Sequence, residues 1–266
     1  MQPFLLLATR ADDSAADNEY ESFLAFSGLG ERDLRRHRLE QRALGEVDLG
    51  DWSGILLGGG PFNYSDPEES KSPVQRRVEA DLRALLEKVI KADFPFLGAC
   101  YGIGAIGSQQ GAVIDRQYAE PVGPVTITLT REGQQDPLLG GLPTTFDAFG
   151  GHKEAISKLP DHAVRLASSP ACPVHAFRVG RHVYATQFHP ELDAAGLCTR
   201  IDVYKHAGYF EPERADELKE QAYRSNVTHP PAILKTFVQL YATSPPVSAG
   251  AGPHRPATIP ATGAVG

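Results

Sequence analysis

The stretch Phe94-Pro95-Phe96-Leu97-Gly98-Ala99-Cys100-Tyr101-Gly102-Ile103-Gly104 decides how the rest of the chain is read. Phe96, Leu97 and Ala99 make a short apolar run that predicts a buried strand, and Tyr101 to Gln110 predict a helix that begins at once. A side chain held on so abrupt a strand-to-helix turn needs small neighbours, because the backbone bends where bulk would collide. Gly98 and Gly102 flank Cys100 in the pattern G-x-C-x-G, the cysteine counterpart of the G-x-S-x-G nucleophile elbow. The turn also directs the first helical amides at the sulfur, which favours the reactive thiolate. A free cysteine is commonly just a small buried hydrophobe. The glycine surround, together with Gln187-Phe188-His189-Pro190-Glu191 far downstream, sets Cys100 apart from Cys172 and Cys198, which lack it.

Working outward, Phe4–Ala8 predicts a first buried parallel strand, and Asp12 to Phe26 a helix ended near Gly28. Leu34–Leu39 predicts a second, more exposed strand. A third, Gly54–Leu57, runs into Gly58-Gly59-Gly60-Pro61. Bare amides at a strand end allow close approach of a ligand, and no Gly-Lys-Ser/Thr follows, so a nucleotide phosphate loop is excluded. Ser72-Pro73 opens a helix with a good N-cap and first turn. Val74, Val78, Leu82, Leu85, Leu86, Val89 and Ile90 then give it one apolar stripe to about Ala92. Strands alternating with helices at this spacing indicate a parallel sheet with crossover helices.

From Ala112 the texture changes to short strands: Val122–Thr130, Phe146–Phe149, Val164–Ala167, His175–Val179 and Val183–Thr186. Gly180-Arg181 predicts a hairpin turn between the last two. Helices are expected over 194–207, 212–225 and 231–243. The expected architecture is a three-layer α/β/α domain over residues 1–243, flavodoxin-like, with a mainly parallel sheet and an antiparallel extension. Residues 244–266 are rich in Pro, Ala and Gly with few large apolar groups, and are expected to be a disordered tail.

Composition narrows the function classes. The formal charge is −7 and no Lys/Arg-rich run occurs, which argues against nucleic acid or an anionic membrane as partner. Three cysteines without a C-x-x-C pair do not build a disulfide framework, so a reduced, cytoplasmic protein is expected. No apolar stretch of about 18 residues occurs, and the N-terminal apolar run is too short for a signal peptide. No metal site is expected: His182 and His189 are separated by a strand, and no H-E-x-x-H is present. Trp52 is expected to pack near the third strand.

His189 at a strand's end, with Glu191 two residues on and Pro190 stiffening the turn, suits an imidazole base held by a carboxylate. Such a ring can accept a thiol proton and return it to a leaving amine. Cysteine, imidazole and glycine loop all fall at predicted strand ends, where open α/β sheets bind ligands.

Gly98-Ala99-Cys100-Tyr101-Gly102 with Phe188-His189-Pro190-Glu191 resembles the class I (triad) glutamine amidotransferase family, as in the glutaminase part of GMP synthase, over residues 45 to 195. The resemblance implies Cys100 as nucleophile on the side-chain amide of glutamine, His189 as base and then acid, and Glu191 as the orienting carboxylate. It implies an oxyanion hole from the amides of Gly59 and Tyr101, with Gly60 and Gly102 beside it. His152, in Gly151-His152-Lys153-Glu154, sits where the family often carries a serine–histidine pair lining the site. A γ-glutamyl thioester and ammonia, then glutamate, would be the products. No cofactor is implied. Nothing in the chain resembles a synthetase domain, so the ammonia acceptor would be either a separate protein, such as a synthetase, or absent.

One position departs from the family. C-x-G-x-Q usually follows the nucleophile, and here Gly104 stands where that glutamine contacts substrate; Gln109 and Gln110 lie too far along the helix to replace it. Two further readings therefore stay open: hydrolysis of a γ-glutamyl peptide or other amide by the same triad, and a non-catalytic binding or regulatory protein on the same fold.

Overall fold

The structure, a computed structural model, describes residues 2–242; the tail expected over 244–266 lies outside the described residues. Strands β1 (Phe4–Ala8), β2 (Leu34–Arg38), β3 (Gly54–Leu57) and β4 (Phe96–Ala99) alternate with helices α1 (Asp13–Ser27), α2 (Pro73–Ala92) and α3 (Tyr101–Gln109). Then come β5 (Val113–Asp115), β6 (Glu120–Leu129), the short α4 (Arg131–Gln134), β7 (Thr145–His152), β8 (Ala155–Lys158), β9 (Val164–Ser168), β10 (Ala176–Val179) and β11 (Val183–Thr186). Helices α5 (Ala194–Val203), α6 (Ala215–Arg224) and α7 (Pro231–Tyr241) follow.

Nine strands form one sheet in the order β2-β1-β3-β4-β11-β10-β9-β6-β7. The pairs from β2 through β11 are parallel, and those from β11 through β7 antiparallel. This is the three-layer, mainly parallel architecture with an antiparallel extension. The period of two along β1 builds both faces of its core. Leu5 and Leu7 pack with Ile55, Leu57 and the stripe Val78, Leu82, Leu86 of α2, while Phe4 and Leu6 pack with Leu56, Phe23 of α1 and Phe237 of α7. Because helices cover both faces, β1, β3, β4 and β11 are buried at every position.

Local chemistry fixes the ends of these elements. Ser72 accepts a hydrogen bond from the Gln75 amide at 3.1 Å and Pro73 occupies the first turn of α2. Asp93 ends that helix in the left-handed region at φ 48°, and its carboxylate accepts the amides of Arg181 and His182 at 2.9 and 3.0 Å. The end of α2 is thereby tied to the β10–β11 hairpin, whose Gly180 has φ 57° as a tight turn requires.

Trp52 packs against the core cluster beside β3, as expected. The small sheet β5·β8 and α4 were not anticipated, because runs of three or four residues carry too little periodicity to announce themselves. The helix expected from Pro212 begins as a 3₁₀ turn over Pro212–Arg214 and becomes α-helical at Ala215. Among the described residues no helix is long and apolar enough to cross a membrane.

Candidate active site

Strands β3, β4 and β11 are neighbours, so their C-terminal ends bring Gly58-Gly59-Gly60, Cys100 and Phe188-His189 to one rim of the sheet. Cys100 is the hinge between β4 and α3, at φ 50° and ψ −87°. Non-glycine residues occupy that half of backbone space only where the surroundings hold them there. Here the Cys100 amide donates to Thr186 O at 2.7 Å, locking the turn to β11. The flanking glycines answer a packing demand: a Cβ at Gly98 would lie 2.8 Å from the Gly102 Cα.

The glycine loop is pressed against the same point. A Cβ at Gly59 would lie 2.6 Å from His189 Cε1, 3.0 Å from Arg10 Nη2 and 3.4 Å from Cys100 Cβ. A single missing methyl therefore separates the loop from the imidazole, a guanidinium and the cysteine. Thr9 Oγ1 holds the loop by donating to Gly59 O at 2.9 Å. Cys100, Gly60 and His189 line one pocket, closed on its other sides by Gly151 of β7 and by Tyr209 and Phe210 from the segment after α5.

His189 Nδ1 donates to Glu191 Oε1 at 2.7 Å, which leaves Nε2 for the pocket. Glu191 is fully buried, and the same Oε1 accepts Arg200 Nη1 at 2.9 Å. Burial opposes charge on His189, but Glu191 and the Cys100 sulfur outweigh it and lift the imidazole to about 9. Burial likewise opposes ionisation of Glu191, yet His189 and Arg200 together hold it well below the ordinary carboxylate range. Beneath these, Arg10 donates to Glu19 Oε1 at 2.9 Å and to the Tyr204 hydroxyl at 3.2 Å. Arg200 Nη2 lies 3.6 Å from that Glu19 oxygen. Two arginines and two glutamates thus form a buried, charge-balanced chain under the imidazole. Arg10, Glu19 and Arg200 escaped the sequence reading, since no spacing marks a buried charge whose partner is distant.

His152 is placed differently from the expectation. Its Nε2 is 2.9 Å from Glu120 Oε2 and its Nδ1 2.8 Å from Glu154 O, so both ring nitrogens are engaged in the interior. It reaches the pocket only through the strand that carries Gly150 and Gly151. Cys172 and Cys198 are buried away from it.

The space beside Gly104 is filled. A Cβ there would meet Tyr64 Cδ2 at 2.7 Å and Glu154 Oε1 at 3.0 Å. Tyr64 stacks on Tyr101 with centroids 5.1 Å apart, and Glu154 accepts the amides of Tyr64 and Ser65 at 2.9 and 2.7 Å. An aromatic ring and a loop-clamping carboxylate therefore stand where a longer side chain would project from α3.

The fold and the site define a class of protein, and residues 30–196 match the family model for Glutamine amidotransferase class-I; the chain belongs to that family. It is 29% identical over 150 residues to a glutamine-hydrolyzing GMP synthase of Thermosipho melanesiensis, covering 56% of this chain and 26% of that one. It is also 29% identical over 140 residues to a protein of Methanoculleus marisnigri named as one subunit of a glutamine-hydrolyzing GMP synthase, covering 52% and 65%. The chain thus spans about a quarter of the first protein and under two thirds of the second. The same fold recurs in a glutamine amidotransferase from Thermotoga maritima, with TM-score 0.73, 20% identity and coverage of 92% and 100%. It recurs again in one from Methylobacillus flagellatus, with TM-score 0.67, 17% identity and coverage of 96% and 99%.

Proposed function

We propose that the chain hydrolyses the side-chain amide of glutamine through a Cys100–His189–Glu191 triad. The observation that carries this reading is Cys100, held at φ 50° on the strand–helix turn beside an imidazole whose far nitrogen is fixed by a buried carboxylate. His189 Nε2 takes the thiol proton, and the sulfur attacks the amide carbon. The developing oxyanion is held by the amides of Gly59 and Tyr101, each such donor contributing about 3–4 kcal/mol to lowering the barrier. As the C–N bond breaks, His189 gives its proton to the departing ammonia, leaving a γ-glutamyl thioester on Cys100. A water, deprotonated by His189, then releases glutamate and restores the thiol. Arg200 keeps Glu191 ionised, so that Nδ1–H stays pinned and Nε2 stays available.

Relatives that are named as glutamine-hydrolyzing support glutamine as the substrate. The relative from Methanoculleus marisnigri, named as one component of a GMP synthase, supports delivery of the ammonia to a synthetase on another chain. A second reading keeps the triad and changes the substrate to another γ-glutamyl amide; Tyr64 and Glu154, crowding position 104, favour it.

Ammonia release from glutamine by the wild type and by Cys100→Ala tests the proposal. Turnover abolished by the substitution is the expected result. Turnover of γ-glutamyl amides alone selects the second reading. Inertness to both, with no labelling of Cys100 by an electrophilic glutamine analogue, leaves only a non-catalytic binding role.

A further inference from the structure

Outside the pocket, Glu120, His152, Cys172 and His175 converge under the antiparallel half of the sheet. They come from the start of β6, the end of β7 and the β9–β10 connection. All are buried, and one ligand-type atom from each lies within 4.8 Å of the others. Glu120 Oε2 faces His152 Nε2 at 2.9 Å and His175 Nε2 at 2.6 Å.

The proton inventory of this cluster is awkward. His152 Nδ1 faces a backbone carbonyl, Glu154 O, which only accepts, so Nδ1 carries a hydrogen. Glu120 faces three groups at once, His152 Nε2 and His175 Nε2 on Oε2 and Ser169 Oγ on Oε1, and as a carboxylate it too only accepts. His152 Nε2 then needs a second proton, or a cation in its place. His175 Nε2 makes the same demand on the same oxygen, while its Nδ1 is buried with no hydrogen-bond partner. Beside them the Cys172 thiol has only a weak contact to Val174 O at 3.6 Å.

We propose that Glu120, His152, Cys172 and His175 form a closed, structural zinc site. Two imidazole nitrogens, one thiolate and one carboxylate suit this borderline-soft ion, and four protein ligands complete its tetrahedron with no open position. On binding, one ion takes the place of the Nε2 protons and the thiol proton, which pass to solvent. Supporting groups are already present: Glu154 O fixes the His152 tautomer, and Ser169 Oγ donates to Glu120 Oε1 at 2.7 Å. The ion would pin the Cys172-Pro173-Val174-His175 loop to β6 and β7. Through Glu154 it would steady the Tyr64–Ser65 loop near the thiol pocket. The sequence motifs pointed to no metal, because Glu120 and His152 stand far along the chain from the short Cys172-x-x-His175 spacing. The proposal is independent of what the Cys100 site hydrolyses.

Metal analysis of the full chain, purified without a metal-affinity tag, is the first test, and about one zinc per chain is expected. The second is Co²⁺ added to chelator-stripped protein in a Cys100→Ala/Cys198→Ser background, where Cys172 is the remaining cysteine. A thiolate-to-cobalt charge-transfer band with tetrahedral d–d intensity is expected. Cys172→Ser and His175→Gln, checked for folding by circular dichroism, should lower zinc affinity at least about tenfold. Folded wild type that retains no zinc after loading and dialysis overturns the site. So does zinc held undiminished by both variants, or a cobalt complex without a sulfur band.

Discussion

Among the described residues, two buried imidazole–carboxylate systems differ in what the carboxylate leaves free. At the rim of the parallel strands, Glu191 takes Nδ1 of His189, and the other nitrogen is left to a pocket shared with a thiol. Under the antiparallel strands, Glu120 takes Nε2 of both His152 and His175, and Glu154 O takes the remaining nitrogen of His152. Burial is the first influence on His189 and His175 alike, and lowers both. In His189 it is outweighed by Glu191 and Cys100, giving a value near 9, whereas in His175 burial prevails and the value falls. On the proposed mechanism, the same residue pair therefore makes a proton carrier in one place and an interior strut in the other. Which it becomes depends on a pocket and a sulfur, not on the pair.

Removing the sulfur should break the contrast most severely. Cys100→Ala should lower ammonia release by about 10⁴-fold or more, measured by coupled assay, with the fold retained. Glu191→Gln comes next, at about 10²–10⁴-fold in kcat, because an amide can no longer fix the tautomer or balance the imidazolium. Since Arg200 would then face a neutral partner in the interior, a loss of about 3–5 kcal/mol in denaturant unfolding should accompany it. At the sealed cluster, Glu120→Ala should reverse the emphasis. Its stability loss should be about 1–3 kcal/mol for each buried imidazole N–H left without its acceptor, with a smaller change in kcat. Equal losses of kcat in both carboxylate variants would erase the distinction.

Gly104→Gln should have a smaller effect, about 1–3 kcal/mol of destabilisation from overpacking against Tyr64 and Glu154. Pairing it with Tyr64→Ala should recover part of that loss and, on the glutaminase reading, lower KM for glutamine. The mildest test is pH. The folded-state value of His189 is raised, so the stability its charge contributes is complete below the ordinary value of 6.5 and fades as pH rises through about 9. Turnover should fall over the same alkaline range as the proton needed by the leaving ammonia is lost. A His189→Gln variant should show no such fade in unfolding free energy.

Much of this was readable beforehand, for identifiable reasons. The α2 stripe and its Ser72-Pro73 start follow from one turn of helix repeating, and α2 runs from Pro73 to Ala92 as that pattern requires. The Gly98–Cys100–Gly102 turn was legible because only small residues survive so sharp a bend, and the φ of Cys100 bears that out. His152 was not, because a histidine beside a glycine turn carries no sign of which way its ring faces. Two carboxyl-terminal features, Arg200 on α5 and the Tyr209-Phe210 cover, look like any amphipathic helix and connection until they are folded over the pocket.

The chain by itself determined the alternation of strands and helices, the place where the backbone must turn sharply, and the candidates for sulfur, ring and carboxylate. Each is a local demand of sterics or periodicity, written in residues a few positions apart. Only the folded sheet decided which charges share an interior, that Tyr64 and Glu154 occupy the ground beside Gly104, and that Glu120 gathers two histidines and a cysteine. Those are pairings between distant segments, and their strength comes from exclusion of water, which no local pattern records.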